Sequence, residues 1–277
     1  MIPSIHTIDT ETARNFDGIF FDIDDTFTTR GKIPACAFNA LWALKESGLK
    51  LVPITGRPAG WCDHIVRMWP VDAVVGENGA FYFWLDERAG KLRKRFLDPD
   101  HVRREKRVRL REIERDVISS VPGTAVASDQ SYRETDLAID FCEDVKPLEW
   151  PEIERICAVF EKHGATCKVS SIHVNGWFGD YNKLDMTRIM AGELWGVDLD
   201  TGRHRFLFCG DSPNDEPMFR FFPFSAGVNN VLRFIERLRH LPAFVAGREG
   251  GEGFAEIAET VLALRLANQP APQACSD

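Results

Sequence analysis

The sequence predicts an α/β fold in which a parallel sheet is interrupted by a long α+β insertion. In the first third of the 277 residues, short apolar runs alternate with segments of helical periodicity, beginning with the strand-like GIFFDI at Gly18. The order strand, helix, strand, helix, strand requires parallel strands joined by right-handed crossovers. From about Phe81 the apolar residues alternate instead, which favours antiparallel strands. The first pattern returns near Lys183, so the chain leaves one domain and later re-enters it.

Proline and glycine residues mark the ends of predicted helices in the segments that form the parallel sheet. A helix is predicted over residues 34–47, because a proline opens this apolar-periodic segment and Gly48 closes it. The strand LKLVPIT, the helix RPAGWCDHIVRMW and the strand VDAVVGENGA follow. After the insertion, we expect the helix NKLDMTRIMAGELWG, the strand HRFLFCG, the helix PNDEPMFRFF, the strand FSAGV and a closing helix, FAEIAETVLALRLA.

The insertion is predicted to contain a hairpin turning at Gly90, a charged helix, alternating strands and a helix over residues 149–163. The basic run 103–115 is interpreted as the solvated face of an amphipathic helix, with an anion-steering patch as the alternative. The predicted domains are a core of residues 1–82 and 181–267 and an insertion of residues 83–180. The tail, 268–277, has no periodicity and is predicted to be disordered.

Composition excludes several classes of protein. The net charge of −8 argues against a nucleic-acid binder, which carries an excess of Lys and Arg. There is no apolar run of about 18 residues and no secretory signal pattern, so we expect a cytoplasmic protein without a membrane partner. The seven cysteines contain no CxxC pair, which favours reduced thiols over a zinc site or disulfide framework.

Polar side chains follow three of the predicted parallel strands. They are Asp22 and Asp24, Thr55 and Arg57, and Asp211 and Asp215. Since ligands of open parallel sheets bind beyond the carboxyl ends of the strands, we expect these residues to meet at one crevice. Crowded carboxylates raise each other's pKa, so a divalent cation that prefers oxygen ligands is the natural counter-charge, and Mg²⁺ fits best.

The same crevice suits a phosphoryl group. Lys183 begins the helix that re-enters the core, so its ammonium would reach the crevice if that helix lies there. A metal, a lysine and the Thr55 hydroxyl would together position and neutralise a phosphoryl group. A carboxylate such as Asp22 can act as a nucleophile and form an aspartyl-phosphate.

Four motifs occur in order along the chain: DIDDT from Asp22, ITGR from Ile54, Lys183 in YNKLDM, and GDSPND from Gly210. Together they resemble the motifs of the haloacid dehalogenase superfamily, in its phosphatase branch. The insertion between the second and third motifs is similar to the large α+β cap of the branch that includes Cof-type, sucrose-phosphate and trehalose-phosphate phosphatases. The resemblance implies a Rossmann-like parallel-sheet core with an inserted α+β cap.

The resemblance also implies roles for these residues. Asp22 would attack phosphorus, and Asp24 would protonate the leaving alcohol and then activate water. Thr55 would donate a hydrogen bond to the phosphoryl group, and Lys183 would offset its charge. Mg²⁺ would be held by the Asp22 carboxylate, the Asp24 main-chain carbonyl and the carboxylates of two further residues, Asp211 and, in a supporting role, Asp215.

We expect substrate contacts from residues around the same crevice and from the cap. They are Thr55, Gly56, Arg57, Asn78, Gly79, His173, Lys183 and Asn214. Three points stay open in the sequence: GENGA could be only a tight turn, Arg57 could bridge to the cap or pair with a surface acid, and the face that carries His173 could point to the crevice or to water.

The sequence therefore predicts a Mg²⁺-dependent phosphatase that acts on a small phosphorylated metabolite, a sugar or glycosyl phosphate first, as a monomer or homodimer. The alternatives are a phosphomutase of related fold and a sugar-phosphate-binding protein without turnover. The residues do not name the substrate, because fold and core chemistry do not fix specificity.

Overall fold

The computed structural model describes residues 2–267; the predicted disordered tail lies outside this range. The strands are β1 (Gly18–Phe21), β2 (Lys50–Pro53), β3 (Val74–Gly76), β4 (Phe81–Asp86), β5 (Lys91–Phe96), β6 (Ala125–Val126), β7 (Leu137–Asp140), β8 (Thr166–Val169), β9 (His173–Trp177), β10 (Phe206–Gly210), β11 (Ser225–Gly227) and β12 (Phe244–Val245). The helices are α1 (Thr10–Arg14), α2 (Ala35–Glu46), α3 (Ala59–Met68), α4 (Asp100–Ser120), α5 (Trp150–Lys162), α6 (Lys183–Trp195), α7 (Leu199–Gly202), α8 (Glu216–Phe221) and α9 (Gly250–Leu266).

The central sheet is parallel, as predicted. Its five strands lie in the order β12-β11-β10-β1-β2, and every neighbouring pair runs in the same direction. All four residues of β1 are buried, since helices cover both faces of the sheet. Ile19 and Phe21 pack in the cluster that contains apolar residues of α2 and α9, whereas Phe20 packs with Met186 of α6 and Met218 of α8.

A hairpin extends the edge of this core. Strand β3 is joined to β2 by a single bridge between Ile54 and Val75, and it pairs antiparallel with β4, which pairs with β5. The turn lies at Gly90, as predicted, with φ +60°. Because the hairpin pairs with β3 and packs against α3 and α6, we propose that the core continues to about residue 97 instead of ending at residue 82.

A second antiparallel sheet lies within the predicted insertion. Its order is β6-β7-β9-β8, and the apolar faces of α4 and α5 share one hydrophobic cluster with its strands. Helix α4 buries Leu110, Ile113 and Val117, so the basic run belongs to an amphipathic helix. This α+β sheet and the parallel core together give the predicted fold class.

Within residues 2–267, no helix is long and apolar enough to cross a membrane. The six cysteines of this range are free thiols; Cys275 lies outside it.

A close backbone contact fixes the beginning of α6. Glu77, Asn78 and Gly79 form a short 3₁₀ turn with positive φ at all three positions, and Gly79 has φ +107°. A Cβ atom on Gly79 would lie 2.1 Å from the carbonyl oxygen of Asn182, the residue that caps α6. The turn therefore packs directly against the residue that precedes Lys183.

We expect Gly79→Ala to lower the free energy of unfolding by about 3 kcal/mol or more, because it combines backbone strain with a clash against main-chain atoms. Gly48→Ala is the matched control, since Gly48 also has positive φ (+85°) but no atom lies within 4 Å of its added Cβ. The control should lose only about 1 kcal/mol. Denaturant unfolding of the variants measures both values, and equal losses would contradict the close contact.

Candidate active site

Three buried carboxylates meet at the carboxyl ends of two neighbouring strands. Asp22 follows β1, Asp211 follows β10, and Asp215 ends the 3₁₀ turn Pro213–Asp215. One oxygen from each of the three side chains lies within 4.8 Å of the others, and all three residues are buried. The parallel pairing of β1 with β10 therefore forms an acidic cluster (Asp22, Asp211 and Asp215) of the kind the strand-end argument predicts.

Local hydrogen bonds aim Asp215 into this acidic cluster. Its Oδ2 accepts hydrogen bonds from the main-chain nitrogens of Asp211, at 3.0 Å, and Ser212, at 3.4 Å. Its Oδ1 is left to accept a hydrogen bond from Lys183 Nζ at 2.7 Å, and the same ammonium lies 2.8 Å from Asp22 Oδ1. The helix that begins at Lys183 thus delivers a cation to the crevice, as the third motif predicts.

The cluster holds more negative charge than one lysine offsets. Burial raises the pKa of Asp22 to about 8, with Lys183 lowering it and Asp215 raising it. Burial also raises the pKa of Asp211 well above its usual value, and the neighbouring Asp215 and Asp22 add to this. Burial alone would lower the pKa of Lys183, but the two carboxylates raise it. Three carboxylates beside a single ammonium form a site suited to a divalent cation that takes oxygen ligands.

Two further side chains orient Asp211. Thr26 Oγ1 donates a hydrogen bond to its Oδ1 at 3.0 Å, and Asn230 Nδ2 donates to its Oδ2 at 3.1 Å. Asn230 is not among the residues predicted for the site. It lies shortly after β11, so the rule that polar residues follow parallel strands, extended to this strand, would have found it.

Asp24 lies outside the acidic cluster, because its carboxylate is held by Arg57. The guanidinium Nε lies 3.0 Å from each carboxylate oxygen, and Nη2 lies 2.8 Å from Oδ1. The main-chain nitrogen of Arg57 donates to Thr55 Oγ1 at 3.0 Å. Thr55 is fully buried, with its own nitrogen bonded to Val75 O at 2.9 Å. Arg57, in the ITGR motif, therefore fixes the position of Asp24, in the DIDDT motif.

Arg57 also contacts the insertion. Of the two interpretations of this residue, a bridge to the cap or a pair with a surface acid, the structure therefore favours the bridge. Its Nη1 lies 3.3 Å from Asp129 Oδ2, and its Nη2 lies 2.8 Å from Glu143 Oε1. The other oxygen of Glu143 lies 2.8 Å from His173 Nε2 on β9. Hydrogen bonding to His173, and then to Arg57, lowers the pKa of Glu143 to about 2. A continuous polar path thus runs from His173 to Asp24, and the face that carries His173 points to the crevice.

A second set of polar contacts joins the core to the insertion. Arg133 Nη1 donates a hydrogen bond to the carbonyl oxygen of Gly56 at 2.9 Å. Glu77 is buried and accepts hydrogen bonds from the main-chain nitrogens of Ala59, at 2.9 Å, and Thr135, at 2.7 Å. The sequence does not predict roles for Arg133, Glu77 or Glu143, because their partners depend on how the insertion packs against the core.

The amide of Asn78 has unused hydrogen-bonding capacity at this junction. Asn78 is 2% exposed, and within residues 2–267 neither atom of its amide group has a hydrogen-bond partner. A Cβ atom on Gly56 would lie 3.1 Å from Asn78 Nδ2 and 3.6 Å from Asn175 Oδ1. Asn175 itself donates to Asp136 Oδ2 at 3.1 Å. Gly56 therefore leaves space beside a buried, unpartnered amide.

Two other predicted substrate contacts have structural partners. Asn214 is buried and accepts a hydrogen bond from Ser212 Oγ at 2.8 Å, inside the turn that carries Asp215. Gly79 packs against Asn182. Contact of either residue with substrate stays a prediction.

Residues 19–109 match the family model described as haloacid dehalogenase-like hydrolase. The match includes Asp22, Asp24 and Thr55, whereas Lys183 and Asp211 lie beyond it. No curated protein matches the sequence.

Solved structures of similar fold cover nearly the whole chain. Protein 0175 of Thermoplasma acidophilum has a TM-score of 0.67 at 18% identity, covering 90% of this chain and 99% of its own. The sucrose-phosphatase of Synechocystis, solved with sucrose and phosphate, has a TM-score of 0.61 at 15% identity, covering 90% and 98%. The C-terminal domain of trehalose-6-phosphate phosphatase from C. albicans has a TM-score of 0.68 at 12% identity, covering 95% and 98%.

At these identities, the likeness shows a shared fold. That fold extends through the core and the insertion, and it places Lys183 and Asp211 beside the residues of the matched segment. The matched segment is thus similar to haloacid dehalogenase-like hydrolases, and the chain as a whole shares its fold with these solved structures.

Proposed function

We propose that this protein is a Mg²⁺-dependent phosphatase that hydrolyses a small sugar or glycosyl phosphate through an aspartyl-phosphate on Asp22. The observation that carries the proposal is the buried cluster of Asp22, Asp211 and Asp215, in which Asp22 and Asp215 contact Lys183 while Asp24 is held separately by Arg57. One carboxylate beside a cation can attack phosphorus, while another, outside the acidic cluster, is available for proton transfer.

Asp22 is the nucleophile in this proposal. Its carboxylate would form a bond to phosphorus as the bond from phosphorus to the leaving oxygen breaks. Lys183, 2.8 Å from Asp22 Oδ1, keeps the carboxylate in place and offsets charge on the phosphoryl oxygens. Water would then attack the aspartyl-phosphate and release inorganic phosphate.

The donor set fits a magnesium ion. Asp22, Asp211 and Asp215 would hold it, since buried carboxylate oxygens are ligands that Mg²⁺ prefers and their charge exceeds that of Lys183. When bound, the ion would neutralise negative charge on the phosphoryl group. The predicted ligation by the Asp24 main-chain carbonyl is part of this proposal.

Asp24 is the acid and base of the proposed reaction. It would give its proton to the leaving alcohol and take one from the attacking water. The two-pronged contact with Arg57 fixes its orientation, and Arg57 in turn contacts Asp129 and Glu143 of the insertion. The contacts of the insertion with Arg57 therefore support the residue that transfers the proton.

Two observations support a sugar as the leaving group. Similar folds include a sucrose-phosphatase and a trehalose-6-phosphate phosphatase. In this chain, the buried amide of Asn78 offers both a donor and an acceptor without a partner within residues 2–267, and hydroxyl groups of a sugar would satisfy both.

We expect Asp22→Asn to reduce phosphate release by on the order of 10³-fold or more, because the amide is not a nucleophile. The assay measures inorganic phosphate from phosphorylated sugars, glycosyl glycerates, nucleotides and an aryl phosphate. Asp25→Asn is the matched control, since this nearby carboxylate is outside the acidic cluster and the variant should keep activity within a few-fold.

Undiminished activity in Asp22→Asn would contradict the mechanism. Transfer of the phosphoryl group to another position of the sugar, without net phosphate release, would identify a phosphomutase. Binding of a sugar phosphate to a wild-type protein that never turns it over would identify a binding protein.

We expect a chelator to abolish phosphate release and Mg²⁺ to restore it. Mg²⁺ at about 100 times its Kd should also stabilise the wild type by about 2.7 kcal/mol, because it binds the folded state. Asp211→Asn should remove that stabilisation while changing the metal-free stability by about 1 kcal/mol or less, since repulsion in the acidic cluster is relieved. Thermal unfolding with and without Mg²⁺ tests this, and equal stabilisation of both proteins would argue against the site.

We expect Arg57→Ala to lower kcat about 10- to 100-fold with an alkyl phosphate, because Asp24 loses the group that orients it. The loss should be several-fold smaller with p-nitrophenyl phosphate, whose leaving group needs little protonation. Arg67→Ala, which removes an exposed ion pair with Asp63, is the control and should leave both rates unchanged. Equal losses with the two substrates would contradict a role through Asp24.

A further inference from the structure

A basic groove lies beside the crevice, between helices α6 and α8 and the edge strand β8. Its volume is about 830 Å³. Five arginines and one lysine line it, and we call it the arginine groove: Lys168, Arg188, Arg203, Arg220, Arg237 and Arg239. This concentration of positive charge occurs in a chain whose net charge is −8, so it is a local feature and not a property of the whole surface.

Most of these cations lack an acidic partner. Within residues 2–267, no carboxylate lies within ion-pair distance of Lys168, Arg203, Arg220 or Arg239. Arg188 pairs with Asp200, and Arg237 lies 3.9 Å from Glu154. Among the described residues, the arginine groove therefore carries at least four positive charges without an ion-pair partner.

The acidic residue that lines the groove is already engaged. Glu216 Oε1 accepts hydrogen bonds from the main-chain nitrogens of Arg239 and His240, each at 3.1 Å, and lies 3.0 Å from His240 Nδ1. The Glu216 carboxylate is therefore hydrogen-bonded to residues of the groove wall and does not neutralise the guanidinium groups.

An aromatic ring organises one side of the groove. The guanidinium of Arg188 lies 4.5 Å from the ring centre of Phe221, and that of Arg203 lies 5.1 Å from it. Stacking on a ring face holds a guanidinium in place while its N–H edge stays free to bind an anion.

The groove joins the insertion to the core. Lys168 pairs with Asn175 across β8 and β9, so the two side chains share a face of the sheet, and Asn175 lies near Gly56 of the core. Lys168 therefore lies on the face turned towards the core. At the other side, the lining residues Leu184 and Pro213 are the chain neighbours of Lys183 and Asn214, so the groove borders the crevice.

We propose that the arginine groove binds a phosphate group of a small, multiply charged ligand. Guanidinium groups bind phosphate oxygens through paired hydrogen bonds, and the volume lies within the range of small-molecule sites, about 300–1,000 Å³. The phosphate group comes either from the substrate itself, as a second phosphate beyond the one hydrolysed, or from a separate anion. The latter case does not depend on the proposed function.

Binding of inorganic pyrophosphate, measured by titration calorimetry in Mg²⁺-free buffer with chelator, tests the proposal directly. Without metal, the acidic cluster has no divalent cation to bind the anion, so binding reports on the groove. We expect Arg220→Glu with Arg239→Glu to weaken pyrophosphate binding at least tenfold. The control, Arg88→Glu with Arg115→Glu, makes the same change in net charge at exposed positions outside the groove, and should weaken binding less than about threefold.

A second double variant, Arg220→Gln with Arg239→Gln, removes the two charges without reversing them and so tests whether the Glu variants bind weakly only because they unfold. It should keep the wild-type circular dichroism spectrum and weaken pyrophosphate binding to an intermediate degree. Equal pyrophosphate affinity in the wild type, the groove variants and the control would overturn the proposal, as would absence of binding to the wild type.

Kinetics then separate the two sources of the phosphate group. If it belongs to the substrate, the Glu variant should raise KM for a sugar bisphosphate at least tenfold and leave KM for p-nitrophenyl phosphate unchanged. If it is a separate anion, both KM values should stay the same while pyrophosphate binding is lost. A protein that binds pyrophosphate in the groove but releases no phosphate from any substrate would refute the proposed function alone.

Discussion

The ammonium of Lys183 lies between the carboxylates of Asp22 and Asp215, and the acidic cluster depends on this contact. Removing the lysine would leave two buried carboxylates without a cation, at a cost of several kcal/mol. Several parts of the fold serve the contact: parallel strands bring the aspartates together, and the turn at Glu77–Gly79 packs against the first residues of α6. Because one positive charge offsets only part of three negative ones, the site is suited to a divalent ion.

A second constraint is the polar contact between core and insertion. Arg57 touches Asp24 on one side and Asp129 and Glu143 on the other, with its side chain only 4% exposed. A buried guanidinium needs all of these partners, since an uncompensated charge in this position would be costly. The insertion therefore does more than cover the crevice: it completes the environment of the side chain that orients Asp24.

Charge is distributed unevenly around the crevice. The acidic cluster is suited to a metal, whereas the arginine groove at its border carries the opposite sign. In an acidic protein, such a groove offers an anion a favourable position next to the crevice. The two regions are adjacent because α6 and the turn at Pro213 contribute residues to both.

By itself, the sequence determined the parallel sheet, the interruption by an α+β segment and the meeting of Asp22, Asp211 and Lys183, because strand ends and short motifs are local patterns with fixed consequences. Only the tertiary structure decided how the pieces face one another. It turned Asp24 towards Arg57, and it brought Glu143 to that guanidinium and His173 to Glu143. It also left the Asn78 amide without a partner among residues 2–267 and gathered dispersed arginines into a groove. These contacts join residues far apart in the chain, and packing of the insertion on the core, which no local pattern encodes, brings most of them together.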